Sequence, residues 1–265
     1  MVMVSWKKRM SFSQVIVVII LIYMPAIYSN TVTAKDIVTE TSRWGINLYL
    51  GEAQNTTSNT SGLKFSTYET DTLTNPNKSS TDIAPGLGIT YRHVISPNNN
   101  SLIHALSASL NYYYTDMSRD GQVYLFGYAQ FNNYTYKMKI NSNRLMLDGE
   151  LELHPLVHNI TLFGILGIGG ALNTMSYKEK SVFTNVGGQL DFSSHDQLNF
   201  ASEIGGGVKM PVNKNSVISL RYLYTDLGEA TSKNQSSTPA RRLENPLSTD
   251  IVSQSILLGY TYYFN

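Results

Sequence analysis

The chain has no cysteine among its 265 residues, which excludes disulfide frameworks and thiolate metal sites. Charge is scarce as well. Asp, Glu, Lys and Arg make up 15% of the residues, where soluble proteins carry roughly a quarter. The formal net charge is only +1, so no whole-molecule field favours nucleic acid as a partner. Long apolar runs are missing too, with one exception near the N-terminus. Tryptophan occurs twice, whereas tyrosine occurs 18 times, and tyrosine favours strands and membrane–water interfaces.

The exception sets the compartment. Lys7, Lys8 and Arg9 precede the apolar run Val15–Ile22, and Val32-Thr33-Ala34 supplies small residues where a signal peptidase reads. The run is shorter than the ~20 residues of a membrane-spanning helix. The pattern predicts a cleaved signal peptide over residues 1–34 and one domain over residues 35–265. No later apolar run is long enough to span as a helix, so a membrane-embedded mature chain must cross with strands.

The mature chain alternates with period two, the mark of strands with one apolar and one polar face. Trp44, Ile46, Leu48 and Leu50 share a face in the first segment. In the second, Ile83, Leu87, Ile89 and Tyr91 oppose Ala84, Gly86, Gly88 and Thr90. The third, Leu102–Tyr114, sets Leu106, Leu110 and Tyr112 against Ser107, Ser109 and Asn111. In the fourth, Leu145, Leu147, Leu151 and Leu153 alternate with Arg144, Asp148, Glu150 and Glu152. Four more follow: Ile160–Leu172, Leu198–Met210, Ser216–Asp226 and Ile251–Phe264. Pro85 cannot donate to a ladder, so the second strand is expected to begin irregularly or to bulge there. Val123–Tyr128 and Tyr134–Met138 could add a hairpin. Eight strands fit better, because Lys137, Lys139, Asn141 and Asn143 fall on the would-be lipid face, so that stretch projects above the membrane.

Connections alternate between long and short. The stretches around Asn55–Ser80, Met117–Lys139, Asn173–Gln197 and Gly228–Ser248 are long, while Ser96–Asn100, Pro155–Asn159 and Asn213–Asn215 are tight. Long loops on one side and short turns on the other are the layout of bacterial outer-membrane barrels. About eleven residues at 3.3 Å each span ~36 Å, which a 45° tilt projects to ~25 Å, the height of the apolar band. Trp44, Tyr91, Tyr262 and Phe264 gather at the short-turn end, and Tyr112, Tyr114 and Tyr224 at the long-loop end, as girdles do. The expected fold is all-β: an eight-stranded antiparallel up-and-down transmembrane barrel with short periplasmic turns and four long extracellular loops. A soluble β-sandwich or lipocalin-like barrel would turn the apolar faces inward, and the opposite faces, with their Gly, Ser, Thr and charges, are too small and polar for a solvent-exposed exterior.

At the C-terminus, Gly259-Tyr260-Thr261-Tyr262-Tyr263-Phe264 resembles the final-strand signal of outer-membrane proteins, with Gly259, Tyr262 and Phe264 at its positions. Asn265 departs from it, since the aromatic usually ends the chain. Leu220–Gly228 resembles the penultimate strand of the opacity-type and OmpA-like eight-stranded barrels, and Gly164–Gly170 is similar to their mid-barrel strand. The sharp motifs cover the last two strands and the general pattern covers the mature chain. The resemblance implies a Gram-negative outer membrane, insertion by the barrel-assembly machinery, outer-membrane lipids as surroundings, and variable surface loops used in adhesion or immune contact. It implies no peptidoglycan-binding domain after Phe264.

Candidate chemistry is thin. His154 and His158 beside Glu152 have helical metal-ligand spacing, but Pro155 and the tight turn remove the helix. Gly167–Gly170 lacks the Lys-Ser/Thr of a phosphate loop. Tyr91–Ser96 resembles the His/Ser arrangement of outer-membrane lipid A deacylases, yet no carboxylate stands near His93 or Ser96 in sequence. The Asn-x-Ser/Thr triplets at Asn55, Asn59 and Asn159 match glycosylation acceptors by composition alone. No catalytic residue, metal site or cofactor is therefore expected.

The inward faces carry Arg92, Arg144, Lys209 and Arg221 against Asp148, Glu150, Glu152 and Glu203, so 4 − 4 = 0. Counted up from the short turns, Arg92, Glu152 and Lys209 lie low, Asp148, Glu150 and Arg221 in the middle, Arg144 and Glu203 high. This predicts a plug of ion pairs with Arg221 joined to Asp148 or Glu150 at its centre, since buried charges survive when paired. The leading expectation is a non-enzymatic barrel whose loops contact host or other external molecules. A narrow channel for ions or small solutes is the alternative, and a lipid-acting enzyme a more distant one.

Overall fold

The computed structural model describes residues 42–95, 101–156, 160–183, 187–237 and 239–264. The expected leader, the Ser96–Asn100 turn, His158 and Asn159 lie outside these residues. Ten strands follow in chain order: β1 (Arg43–Ser58), β2 (Leu63–Ser66), β3 (Glu69–Leu73), β4 (Ser79–Val94), β5 (Ile103–Tyr124), β6 (Tyr134–Leu153), β7 (Thr161–Ser181), β8 (Asp191–Pro211), β9 (Ser216–Thr231) and β10 (Ser248–Tyr263). Eight of them close a ring of antiparallel neighbours, β1-β4-β5-β6-β7-β8-β9-β10 and back to β1. β2 and β3 form a small hairpin that joins the rim through Thr72 opposite Tyr124 and Leu73 opposite Val123 on β5. Ring closure removes the unpaired strand edges that lipid cannot solvate.

The strands run longer than the alternation suggested. β5 and β6 pair without a shift from Ala105/Glu152 to Val123/Tyr134, so the extra segment extends one tall hairpin and adds no ninth or tenth barrel strand. Three of the four expected long loops are therefore largely strand, with residues 125–133 joining β5 to β6, whereas in Gly228–Ser248 strand covers Gly228–Thr231 and Ser248. The expected irregularity at Pro85 takes another form. β4 pairs with β1 without a shift from Arg43/Arg92 to Thr56/Ser79, and there is no bulge. Instead the ladder to β5 stops at Gly86/Tyr113, one residue short of the proline that has no N–H to give. A bulge does occur between β9 and β10, where Leu227 is passed over at Ile251/Val252. Gly228 supplies the positive φ of 70° there, a conformation that favours glycine.

Side chains alternate between wall and lumen, and their polarity inverts partway up the wall. On the lower part of β6, Leu145, Leu147 and Leu151 face outward while Arg144, Asp148 and Glu152 are buried inside. Above Asn141 and Asn143 the outward residues are Lys137 and Lys139, and the buried ones are Met138 and Ile140. β7 repeats the change: Leu166, Ile168 and Leu172 give way outside to Lys178 and Lys180, while Met175 and Tyr177 are buried within. Apolar atoms face outward where the surroundings are lipid and inward where they are water. The inversion therefore marks the outer membrane surface.

Aromatic rings rim the apolar belt. Trp44 and Tyr91 meet at 5.0 Å, and Tyr262 and Phe264 at 5.8 Å, at the short-turn end. Tyr112 and Tyr224 face outward at the other end, where the Tyr112 hydroxyl donates to Asn143 Oδ1 at 2.6 Å. Ring body in lipid and hydroxyl in the polar layer is the arrangement such girdles favour.

Candidate functional site

The lumen is built from the inward positions of the lower strands. Arg92 on β4 reaches past β5 to Glu152 on β6, with Nε at 2.9 and 3.1 Å from its two carboxylate oxygens and Nη2 at 2.9 Å from one of them. Ser107 on the intervening β5 donates to the same carboxylate at 3.2 Å. Lys209, arriving from β8, lies 2.7 Å from Glu152 and also contacts Glu150. Glu150 in turn meets Arg221 Nη2 at 3.4 Å. Five charged side chains from β4, β6, β8 and β9 thus form one continuous cluster low in the barrel.

A second layer crosses above it. Thr261 donates to Asn47 at 2.8 Å, Asn47 to Asn111 at 3.4 Å, and Asn111 to Asp148 at 2.6 Å. This chain links β10, β1, β5 and β6 through the lumen. It pairs the amides with one another and with Asp148 Oδ2, while Asp148 Oδ1 has no hydrogen-bond partner among the described residues.

Aromatic rings fill the rest. Tyr49 stacks on Tyr113 with centroids 5.6 Å apart, across β4. Gly86 and Gly88 on β4 leave the room: a Cβ at Gly86 would lie 2.5 Å from the Tyr113 ring, and one at Gly88 2.0 Å from Asn111 Oδ1. Arg221 sits 4.2 Å from the Tyr49 centroid and Arg144 4.7 Å from that of Tyr113. Lys209 stands 5.1 Å from the ring of Phe163. Cations on ring faces recover part of the attraction lost with water.

All eight charged residues singled out from the sequence lie on inward-facing positions, but not all meet as the tiers suggested. Arg221 contacts Glu150, one of the two partners expected of it, while Asp148 accepts from Asn111. Arg144 is not brought to Glu203. Arg144 stands opposite Ala171 on β7 and Glu203 opposite Gly167, an offset of ~13 Å along the strand. Glu203 accepts instead from Thr225 at 3.1 Å. The guanidinium nitrogens Nε, Nη1 and Nη2 of Arg144 make no hydrogen bond among the described residues. The shear between strands, invisible in a one-dimensional count, separates these two.

Several lumen residues escaped the sequence reading. Tyr49, Tyr113, Phe163 and Tyr263 are buried inside, although tyrosine favours the membrane–water interface. Their parity was the available signal, since each lies an even number of positions from an inward polar residue on its own strand. Of the assembly-signal residues, Gly259 faces the lumen against Ser219 and Tyr49, while Tyr262 and Phe264 are exposed on the belt. His154 packs its ring 5.0 Å from His104 at the short-turn end. His93 Nδ1 lies 2.8 Å from Ser42 Oγ.

Above the membrane the interior is largely apolar, with Arg119 buried opposite Met138 and donating to Thr57 Oγ1 at 3.1 Å and to the Asn55 carbonyl at 2.9 Å. Leu63 and Leu73 of the β2–β3 hairpin pack with Met138, Met175, Phe192, Leu190, Leu243 and Leu247 in one buried cluster. Two acids lie within it. Asp71 accepts from the Phe126 N–H at 2.9 Å. Glu179 accepts from the Tyr177 hydroxyl at 2.9 Å and from the Leu190 N–H at 3.0 Å. Burial raises both carboxyls, Glu179 to about 7. On the outside, Lys64–Glu244 at 2.8 Å and the Arg241–Glu69 pair tie the hairpin to the segment before β10.

A closed eight-stranded ring with an apolar outer belt, two aromatic rims and a filled lumen defines an outer-membrane β-barrel. That is the class the opacity-type resemblance implies, and it places the chain in a Gram-negative outer membrane. No protein-family model and no curated protein matches the chain. Among solved structures it is similar to Neisserial surface protein A, at 13% identity over 83% of this chain and 97% of that one, with a TM-score of 0.42. It is also similar to Ail, the attachment invasion locus protein of Yersinia pestis, at 14% identity over 84% and 99%, TM-score 0.34. The outer membrane protease OmpT of Escherichia coli is matched at 10% identity over 84% and 97%, TM-score 0.44. None of these likenesses assigns an activity.

Proposed function

We propose that this chain is a non-enzymatic surface barrel whose working part is the rigid extension above the membrane, presented to molecules outside the cell. The observation that carries this reading is the filled lumen. The void among Asn47, Tyr49, Glu150, Lys209, Arg221 and Tyr263 measures only about 20 Å³, room for roughly one water. The apolar cluster of Leu63, Leu73, Met138 and Phe192 then caps the barrel from above. A solute path has to displace both layers, which disfavours the channel reading. The extension has a core, cross-ties and paired strands of its own, and so offers a preorganised surface where most barrels offer loops.

The test is binding of fluorescently labelled, refolded protein to host epithelial cells and to Gram-negative bacteria. It compares the intact chain with a variant whose residues 60–77 are replaced by a short turn. Both should show the folded, heat-modifiable form on gels. Surface binding lost only in the variant supports the reading; equal binding by both contradicts it.

A further inference from the structure

Four lysines share one patch of the outer wall above the apolar belt. Lys137 and Lys139 come from β6, Lys178 and Lys180 from β7, and all four are exposed. Lys137 stands directly opposite Lys178, Lys139 opposite Ser176, and Lys180 opposite Thr135. Like charges directly opposed across a ladder destabilise it, and the diagonal neighbours lie only roughly 7–8 Å apart. Two carboxylates border the patch, Asp120 opposite Lys137 on β5 and Asp191 opposite Lys178 on β8. Lys178 Nζ lies 3.0 Å from Asp191 Oδ2. Among the described residues no salt bridge reaches Lys137, Lys139 or Lys180. Four cations against the three carboxylates of the lining, Asp120, Asp191 and the buried Glu179, leave a local excess of 4 − 3 = +1. The patch opens onto a groove of about 970 Å³, whose walls also carry the amides of Gln122 and Gln189 and the hydroxyl of Thr135.

Height decides what can fill it. The last lipid-facing leucine of β6 is Leu145, and Lys139 comes 145 − 139 = 6 residues later. That is ~20 Å along the strand and ~14 Å above the hydrocarbon edge at a 45° tilt. An ordinary phospholipid headgroup layer is only about 5–8 Å deep on each side. Lysine stems can reach downward by several ångströms, but the groove itself stands above that layer. A larger headgroup, a saccharide bearing phosphates, reaches it while its acyl chains stay beside Leu145 and Leu172.

We infer that this groove holds the phosphorylated saccharide headgroup of an outer-leaflet glycolipid, with Lys137, Lys139, Lys178 and Lys180 as its phosphate ligands. The inference deepens the surface-contact reading by naming one ligand class. It rests on the outward orientation of this wall and not on the filled lumen. Phosphate between the opposed lysines turns a repulsive rung into a bridged one, and the polar side chains of Gln122 and Gln189 can donate to sugar hydroxyls.

The test uses the full chain refolded into phosphatidylcholine vesicles with and without lipopolysaccharide, beside a detergent sample titrated with inorganic tripolyphosphate. The variants are Lys137→Gln/Lys178→Gln and, as a control, Lys233→Gln, an exposed lysine elsewhere on the extension. Lipopolysaccharide should raise the thermal midpoint of the unmodified protein and of Lys233→Gln by several degrees, and tripolyphosphate should bind both. The double variant should lose the shift and bind tripolyphosphate at least tenfold more weakly. Tripolyphosphate binding without any lipopolysaccharide shift would overturn the lipid assignment in favour of a soluble polyanion. Equal responses in the double variant would overturn the site itself. Adhesion to cells, measured separately, reports on the surface-contact reading, so the two can fail independently.

Discussion

Arg92 grips Glu152 with two guanidinium nitrogens from across an intervening strand, and both side chains are nearly excluded from solvent, at 7% and 2% exposure. The same carboxylate is shared with Lys209 at 2.7 Å. One acid therefore holds two cations from opposite sides of the ring, β4 and β8, against its own strand β6. The lower barrel is braced through its interior as well as through its ladders.

Removing that acid should cost more than removing the whole pair. Glu152→Ala leaves Arg92 buried without its partner, a loss of about 3–5 kcal/mol. Arg92→Met with Glu152→Met leaves Lys209 still held by Glu150 and fills the space, so it should cost less than Glu152→Ala alone. Urea titration of the folded form in vesicles measures both. A double variant that loses more than the single one contradicts the bracing role.

The inversion of polarity on β6 and β7 fixes where the bilayer ends. Leu147→Lys places a charge in the belt and should cost about 2–4 kcal/mol. Asn141→Lys, six positions up the same face, should change stability by no more than ~0.5 kcal/mol. Equal costs at the two positions, measured by the same titration, would move the membrane surface and overturn this assignment.

Glu179 makes the extension sensitive to pH. Its carboxyl is buried with Tyr177 and the Leu190 N–H as partners, and faces Asp71 and Arg241 more distantly. Burial lifts it from 4.5 to about 7. A carboxyl whose folded pKa is raised binds its proton more tightly when folded, so its contribution is full below about 4.5 and is lost as pH rises through about 7. The difference is on the order of 3 kcal/mol, and Asp71, raised as well, acts in the same direction. Protection of the Leu190 amide from hydrogen exchange, corrected for the intrinsic rate, should fall by about a hundredfold from pH 4.5 to pH 8. Glu179→Gln should flatten that profile. Protection that rises with pH contradicts the arrangement.

The lower barrel was legible because lipid imposes a strict rule. Outward Leu145, Leu147 and Leu151 against inward Asp148, Glu150 and Glu152 show both faces, and strand count and orientation follow. Above the membrane the rule reverses, and the same eye reads Lys137 and Lys139 as the end of a strand when the strand continues. Met138, Ile140 and Met175 carried the inverted pattern, but short apolar alternation among lysines and asparagines reads as loop. Pairings inside the lumen were less legible still. Arg92 meets Glu152, and Arg144 misses Glu203, through strand shear, which depends on hydrogen-bond register around the whole ring. The apolar core of the extension needs contacts between Leu63, Phe192 and Leu243, which are far apart in sequence and share no local signal.

Whether ions pass is the most direct test of the filled lumen. Purified protein reconstituted in planar bilayers at symmetric salt should give no steady single-channel conductance, because the charged cluster around Glu150 and the apolar cap around Met138 both close the lumen. Arg221→Ala should lower thermal stability and still give none. A large, stable conductance from the unmodified chain would contradict the filled lumen and make the barrel a channel.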